Sequence, residues 1–199
     1  NCVELTSLTI PSSMTTIGDY AFYKCENIKT IDFESASKLK SIGNYTFNYC
    51  IGIEKIVFPT NLRTIGENAF GYCDSLVSVL STGYLTTIGK FAFNECINLK
   101  TFKIIGRGYL DKIEASAFQN CYKLEEVSFG YDCQLRSVGN AAFINCVSLK
   151  KIDLGRTVNE IGDIAFRNCR SLTTVTIRTH ITWIYIGSKA FENCYSLKI

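Results

Sequence analysis

Several things that equip or punctuate proteins are scarce in this 199-residue chain. It has two prolines (Pro11 and Pro59), one methionine, one tryptophan and one histidine, His180. A single histidine cannot complete a Cys/His zinc set more than once, and no Cys-x-x-Cys pair occurs. His180 sits in a connection with no serine or cysteine nucleophile paired to it by motif, so it reads as a surface or partly packed histidine. No glycine-rich loop is shaped to cradle phosphate. No apolar run approaches the length of a membrane span, and neither end carries a legible signal or anchor pattern. Lys and Arg number 21 against 18 Asp and Glu, and the signs are interspersed. That leaves no basic stripe for nucleic acid. No cofactor is expected.

Apolar residues, by contrast, make up 47% of the chain, enough to bury a substantial core, and ten cysteines are present. Nine of these, Cys2, Cys25, Cys50, Cys73, Cys96, Cys121, Cys146, Cys169 and Cys194, are separated by either 23 or 25 residues. From Phe22 to Phe191 a phenylalanine precedes a cysteine by three, and from Leu5 to Leu197 a leucine or isoleucine follows each by three. The unit reads Ile-Gly-x-x-Ala-Phe-x-x-Cys-x-x-Leu-x-x-Ile-x-Phe. A third apolar column, from Met14 through Leu39, Leu62, Leu85, Leu110, Leu135 and Val158 to Trp183, lies three residues before each Ile-Gly position. Internal repetition at this period is the signature of a solenoid.

Two periodicities alternate inside each unit. Ile65, Ala69 and Cys73 fall four apart, which predicts a helix of about two turns. Val127-Ser128-Phe129 and Ile152-Asp153-Leu154 alternate, which predicts short strands. Stacked units bury what one unit cannot, and strands that recur after so long a return path must pair in parallel. The expected fold is an α/β solenoid: a right-handed coil with one parallel β-sheet face and short helices on the opposite face. It forms a single domain over 1–199, with about eight repeats of 23–25 residues. The extra two residues fall between the strand and the next Ile-Gly. Each Ile-Gly glycine reads as a turn that needs backbone freedom.

These residues resemble the BspA-type leucine-rich repeat, over essentially the whole chain. The signature recurs eight times with few departures: Thr46 stands for the alanine once, Glu114 for the glycine once and Val138 for the isoleucine once. The resemblance implies a curved leucine-rich-repeat solenoid of the kind found in surface proteins, several of which adhere to host matrix or plasma proteins. It implies a cell-surface or secreted location, although thiols kept reduced would also suit the cytoplasm.

The cysteines recur because a small, buried, weakly polar side chain fits one place in every coil. A disulfide framework fails on parity, since nine is odd, and on direction, since stacked equivalents point the same way. Cys25, Cys50, Cys73, Cys96, Cys121, Cys146, Cys169 and Cys194 therefore form a structural ladder. Cys133 lies outside it, in a connection, and reads either as a gap-filler or as an exposed reactive thiol. Asn44-Tyr45-Thr46 is a glycosylation sequon, meaningful only for a chain secreted in a eukaryote.

Ligands of solenoids are held on the exposed sheet face, one or two residues per coil. Most of that face is expected to be polar. The exception is Val57 beside Leu80, with Lys55, Lys103 and Ile105 around them, an apolar patch rimmed by lysines. A second candidate is the connection edge carrying Tyr84, Arg107, Tyr109 and Tyr131. The leading expectation is a non-enzymatic adhesion module for a protein or glycan on a host or neighbouring cell. Alternatives are an intracellular scaffold using the same face, and a structural spacer. The chain opens and closes in mid-unit, so it is expected to be a fragment of a longer array, with ends that self-associate weakly head to tail. No direct membrane insertion is expected.

Overall fold

The computed structural model describes residue 2, residues 4–178 and residues 183–198. His180 lies outside the described residues. Each repeat supplies one longer and one two-residue strand. The longer strands are β1 (Ser7–Ile10), β3 (Thr30–Phe33), β5 (Lys55–Phe58), β7 (Ser78–Ser81), β9 (Thr101–Arg107), β11 (Glu126–Tyr131), β13 (Lys151–Asp153) and β15 (Thr174–Thr176). The short ones are β2 (Thr16–Ile17), β4 (Ser41–Ile42), β6 (Thr64–Ile65), β8 (Thr87–Ile88), β10 (Lys112–Ile113), β12 (Ser137–Val138), β14 (Glu160–Ile161) and β16 (Tyr185–Ile186). The short strands form one eight-stranded sheet in sequence order, and every pairing in the molecule is parallel. The alternating burial of β5, Lys55 and Val57 out and Ile56 and Phe58 in, is that of a sheet with one face in the core.

The expected helices are absent: among the described residues there is no helix, and the molecule is a β-solenoid of about eight turns. The stretch read as helical is a run of tight turns with a left-handed residue every fourth position, such as Asn68 (φ 50) and Tyr72 (φ 60). A left-handed residue stops an α-helix. Here alternate amides make a local turn and the amides between them reach the next coil. Ala69 and Gly71 donate back to Gly66 and Asn68 at 3.4 and 3.1 Å, whereas Asn68, Phe70 and Tyr72 donate across to Lys90, Ala92 and Asn94, each at 2.8 Å. A turn repeating every four residues puts Ile65, Ala69 and Cys73 on one side, as a helix of period 3.6 would. The spacing was therefore compatible with both. With these bonds the turn wall becomes a third hydrogen-bonded wall.

Inside the three walls run continuous side-chain columns. Phe22, Phe47, Phe70, Phe93, Phe118, Phe143, Phe166 and Phe191 stack ring on ring with centroids 5.1–5.4 Å apart. Ring spacing near the rise between parallel strands is what a column repeated once per coil must have. The Ile-Gly glycines serve this close stacking rather than backbone freedom. A Cβ on Gly66 would lie 2.6 Å from the carbonyl carbon of Gly43 in the coil below, and only Gly106, Gly130 and Gly155 among the glycines have positive φ. The third apolar column is fully buried from Leu39 to Val158, but Trp183 at its end is 68% exposed. It belongs to the last described coil, which has nothing stacked on its far side.

The long-strand sheet is the one wall with interruptions. β1 pairs only with β3, and the other six strands form a separate sheet in the order β15-β13-β11-β9-β7-β5. The break falls between β3 and β5. Between β11 and β13 the ladder thins to a single registered pair, Glu126 with Lys151. Counting from cysteine to cysteine, these are the two places where a 25-residue coil is followed by a 23-residue one. Steps from 23 to 25 residues keep their ladders, with four registered pairs from β1 to β3 and from β7 to β9 and three from β13 to β15. Burial agrees: Ile31 and Val127, on the strands before the two interruptions, are 6% and 8% exposed, whereas Val79 and Phe102 are at 1% and 0%.

Candidate functional site

The outward residues of the long strands meet across the coils in register: Val57 lies beside Leu80, and Leu80 beside Lys103. Lys55 aligns with Ser78 and Ser78 with Thr101. Ile105 continues β9 two residues beyond Lys103, on the same side of the strand. Val57 and Ile105 are about half exposed, at 54% and 50%, and Leu80 is partly covered. Of the two lysines in the rim, Lys103 is engaged with Glu126 of the next coil at 2.8 Å, whereas Lys55 makes no ion pair among the described residues. The Lys103 pair is solvent-exposed and contributes no more than about 1 kcal/mol.

The edge carrying the tyrosines is tied to this face through β9. The rings of Tyr84 and Tyr109 meet at 5.0 Å, tilted by 53°. The guanidinium of Arg107 stands 5.7 Å from the Tyr109 ring and 3.5 Å from the Asp132 carboxylate. Tyr131 is exposed beside Asp132 and does not join the stacked pair.

The cysteine ladder does more than fill space. From Cys50 to Cys194 each ladder thiol donates to a phenylalanine carbonyl of the coil before, such as Cys50 to Phe22 at 3.1 Å, Cys96 to Phe70 at 3.1 Å and Cys146 to Phe118 at 3.2 Å. That bond needs a small side chain with a weak donor, which alanine or valine lacks. Burial pushes the Cys50 thiol up to about 12 and those of Cys73, Cys96, Cys121, Cys146 and Cys169 far above the usual thiol range. All ten cysteines are free. Cys133 is buried against the Leu110 carbonyl, with its thiol raised to about 11 by burial, so it packs as a gap-filler. These thiols are shielded and poor nucleophiles. Among the described residues no three His, Cys, Asp or Glu side chains are grouped to hold a metal ion, and no helix is long and apolar enough to cross a membrane.

Two features become visible only in the structure. The left-handed position before each cysteine, signalled in the sequence by Asn120, Asn145, Asn168 and Asn193, is a stacked column in its own right. Tyr49 and Tyr72 stack at 4.5 Å in the early coils, with Lys24 over the Tyr49 ring at 5.5 Å. In the later coils Asn145, Asn168 and Asn193 each donate to the asparagine below, at 2.6, 2.7 and 2.8 Å. The change from Tyr to Asn along one column is visible in the sequence once the column is known. The second feature is a slot of about 780 Å³ at the break between β3 and β5, lined by Ile31, Asp32, Phe33, Lys55, Val57 and Phe58. Pro59 signals it: the equivalent residue one coil earlier, Glu34, donates its N–H to Ile10 at 3.1 Å, and proline has no N–H to give.

The model of the BspA type leucine rich repeat region matches in six copies, over residues 1–124 and 104–199. The chain belongs to the BspA-type leucine-rich-repeat family. No curated protein matches it. Among solved structures it is similar to a leucine-rich repeat protein from Bacteroides ovatus, at 28% identity over 97% of this chain and 60% of that one, with a TM-score of 0.62. A leucine-rich repeat protein of T. pallidum is similar at 28% identity over 74% of this chain and 66% of that one, also with a TM-score of 0.62. A leucine-rich repeat protein from Eubacterium ventriosum shares the fold at 20% identity and a TM-score of 0.57, over 90% of this chain and 61% of that one. This BspA-type chain thus spans about two thirds or less of the length of these three solved proteins.

Proposed function

We propose that this BspA-type solenoid is a non-enzymatic recognition module of a cell-surface or secreted protein, and that it holds a protein partner on the outer face of its long-strand sheet. The observation that carries the reading is the pair Val57–Leu80, held in register, with Ile105 two positions along β9 from their row, on a face otherwise made of Thr, Ser, Asp, Glu and Lys. Nothing in the packing requires apolar residues there, since the core lies on the opposite face. Lys55 supplies an unpaired cation at the margin, and Tyr84, Tyr109 and Arg107 extend the surface with side chains typical of interface anchors. The raised, shielded thiols support a structural rather than a chemical role for the cysteines.

The test is a pull-down by the chain against immobilised extracellular-matrix and plasma proteins, repeated with Val57→Asp/Leu80→Asp. Loss of the captured protein with an unchanged circular dichroism spectrum supports the reading. Undiminished capture by the double variant removes the sheet face from it and moves the contact to the Tyr84/Tyr109 edge.

A further inference from the structure

We propose that the slot between β3 and β5 is a docking site for an extended segment of a partner polypeptide, which lies along the mouth of the slot on the outer face of the sheet. This rests on the reading of the sheet face as a protein-contact surface and specifies the form the partner takes there.

The first observation is a missing rung. Four residues after each cysteine, a backbone N–H donates to the coil before: Lys29 to Thr6, Val77 to Glu54, Lys100 to Val77, Glu125 to Lys100, Lys150 to Glu125 and Thr173 to Lys150. Of the members that precede β3 to β15, Glu54 alone among the described residues makes no such bond; its partner would be Lys29. At the other end of the slot Pro59 cannot donate to Phe33. The coils are nevertheless joined on both sides of the gap, by Gly52 to Glu26 at 3.0 Å and by the Asn61 side chain to the Ser37 carbonyl at 2.8 Å. The opening is therefore local: two facing, parallel strand edges whose main-chain groups lack their neighbour. Unpaired main-chain groups of this kind are ready to bond to an extended segment laid over them.

The second observation is the lining. Core-side residues of both strands, Ile31, Phe33 and Phe58, line the same cavity as the outward-facing Asp32, Lys55 and Val57. The slot thus reaches from the surface to an apolar floor. An extended segment alternates its side chains and can present apolar ones to the floor and polar ones to water.

Charge selects this slot over the second interruption, between β11 and β13. There the carboxylates are already paired, Glu125 with Lys150 at 2.7 Å, Glu126 with Lys103 at 2.8 Å and Asp153 with Arg178, which leaves charge of one sign only, on Lys100 and Lys151, outside any ion pair among the described residues. Around the first slot Lys29, Lys55, Glu54, Asp32 and Glu34 take part in no ion pair among the described residues, although Glu34 accepts the Ser12 N–H at 2.7 Å. They are also sorted. Lys29 and Lys55, with Glu54, stand where the strands begin, and Asp32 and Glu34 where β3 ends. A segment running parallel to the strands is complementary when it carries an acidic residue at its start and a basic one at its end.

The test is a nuclear magnetic resonance titration of the 199-residue chain with the synthetic peptide Glu-Thr-Val-Thr-Val-Thr-Arg, and with Arg-Thr-Val-Thr-Val-Thr-Glu as its charge-reversed control. The expected result is amide shifts confined to residues 29–34 and 54–58, with the first peptide about five-fold tighter than the second, as one exposed charge contact at each end allows. Asp32→Lys, at an exposed position outside the Val57–Leu80 pair, should reduce that preference to about two-fold, since the lysines at the start of the slot are unchanged. No shifts up to millimolar peptide, shifts elsewhere, or equal affinity for both peptides would overturn the proposal. If the peptides fail while Val57→Asp/Leu80→Asp still abolishes capture of a matrix or plasma protein, the slot falls and the sheet-face reading stands.

Discussion

Replacing Phe93 by alanine removes a ring from the middle of the stacked column. The side chain is fully buried, lies between Phe70 at 5.4 Å and Phe118 at 5.3 Å, and meets the edge of Phe102 at 5.4 Å. Emptying such a site costs about 3–5 kcal/mol, because close-packed neighbours on both sides collapse only partly into the cavity. Phe22 holds the same position in an end coil, but it is only half-buried and stacks on one ring, Phe47 at 5.2 Å. With its ring partly exposed and one aromatic neighbour in place of three, Phe22→Ala should cost about 1–2 kcal/mol. At a urea slope of roughly 2 kcal/mol per molar, the midpoint falls by about 2 M for Phe93→Ala and by less than about 1 M for Phe22→Ala. The central variant should also lose cooperativity, since each coil touches only its neighbours and a weak coil uncouples the two halves. Far-UV circular dichroism reports the whole chain, and fluorescence of Trp183 reports the last coil. The two transitions should coincide in the parent and separate in Phe93→Ala. Equal midpoint losses for both variants, with coincident transitions, would refute the nearest-neighbour picture.

The remaining predictions follow from the same columns. Alkylation of the folded chain at neutral pH should label exposed Cys2 and spare Cys50 to Cys169, whereas denaturing without a reductant should expose all ten thiols; two or more disulfides in the ladder would contradict this. The buried thiols have folded pKa values above the usual value near 9, with Cys50 at about 12, so the stability they confer is complete below pH 9 and lost as pH rises from 9 through 12. The melting temperature should therefore hold from pH 7 to about 8.5 and then fall, and a flat profile to pH 11 would count against thiol burial. Ser81 is fully buried where neighbouring coils carry Phe58 and Ile104, and its hydroxyl has no partner. Ser81→Ala should raise stability by about 1 kcal/mol on chemical denaturation; a loss would mean the hydroxyl is bonded.

What the sequence made legible was whatever repeats at a fixed period. The cysteine, phenylalanine and leucine columns and the alternation of strands such as β5 place the core and the outward face directly. Three things were hidden, each for a physical reason. The turn wall was read as helical because turns recurring every four residues and a helix of 3.6 put Ile65, Ala69 and Cys73 on one side alike. The left-handed φ that separates them is announced by asparagine in Asn168 or Asn193 but disguised at Tyr72 and Phe91. The thiol bond to the neighbouring carbonyl spans 26 or 28 residues, so nothing local reveals it. The slot depends on how a 25-residue coil meets a 23-residue one, a relation between units rather than a property of either. Pro59, the residue that forbids a rung, was the available signal.

The account rests on a solenoid whose coils are stitched along three walls by main-chain hydrogen bonds, with one wall opened between β3 and β5. Amide hydrogen exchange resolved by residue tests this most directly. Phe70 and Gly66, which bond to Ala92 and Ile42, and Val77 and Lys100, which continue the sheet rung, should be strongly protected. Glu54 should exchange faster than Val77 and Lys100 by at least about two orders of magnitude, the loss expected for a rung that is not made. Protection of Glu54 equal to that of Val77 would show the sheet to be continuous, and rapid exchange at Phe70 would show that the turn wall does not bond coil to coil.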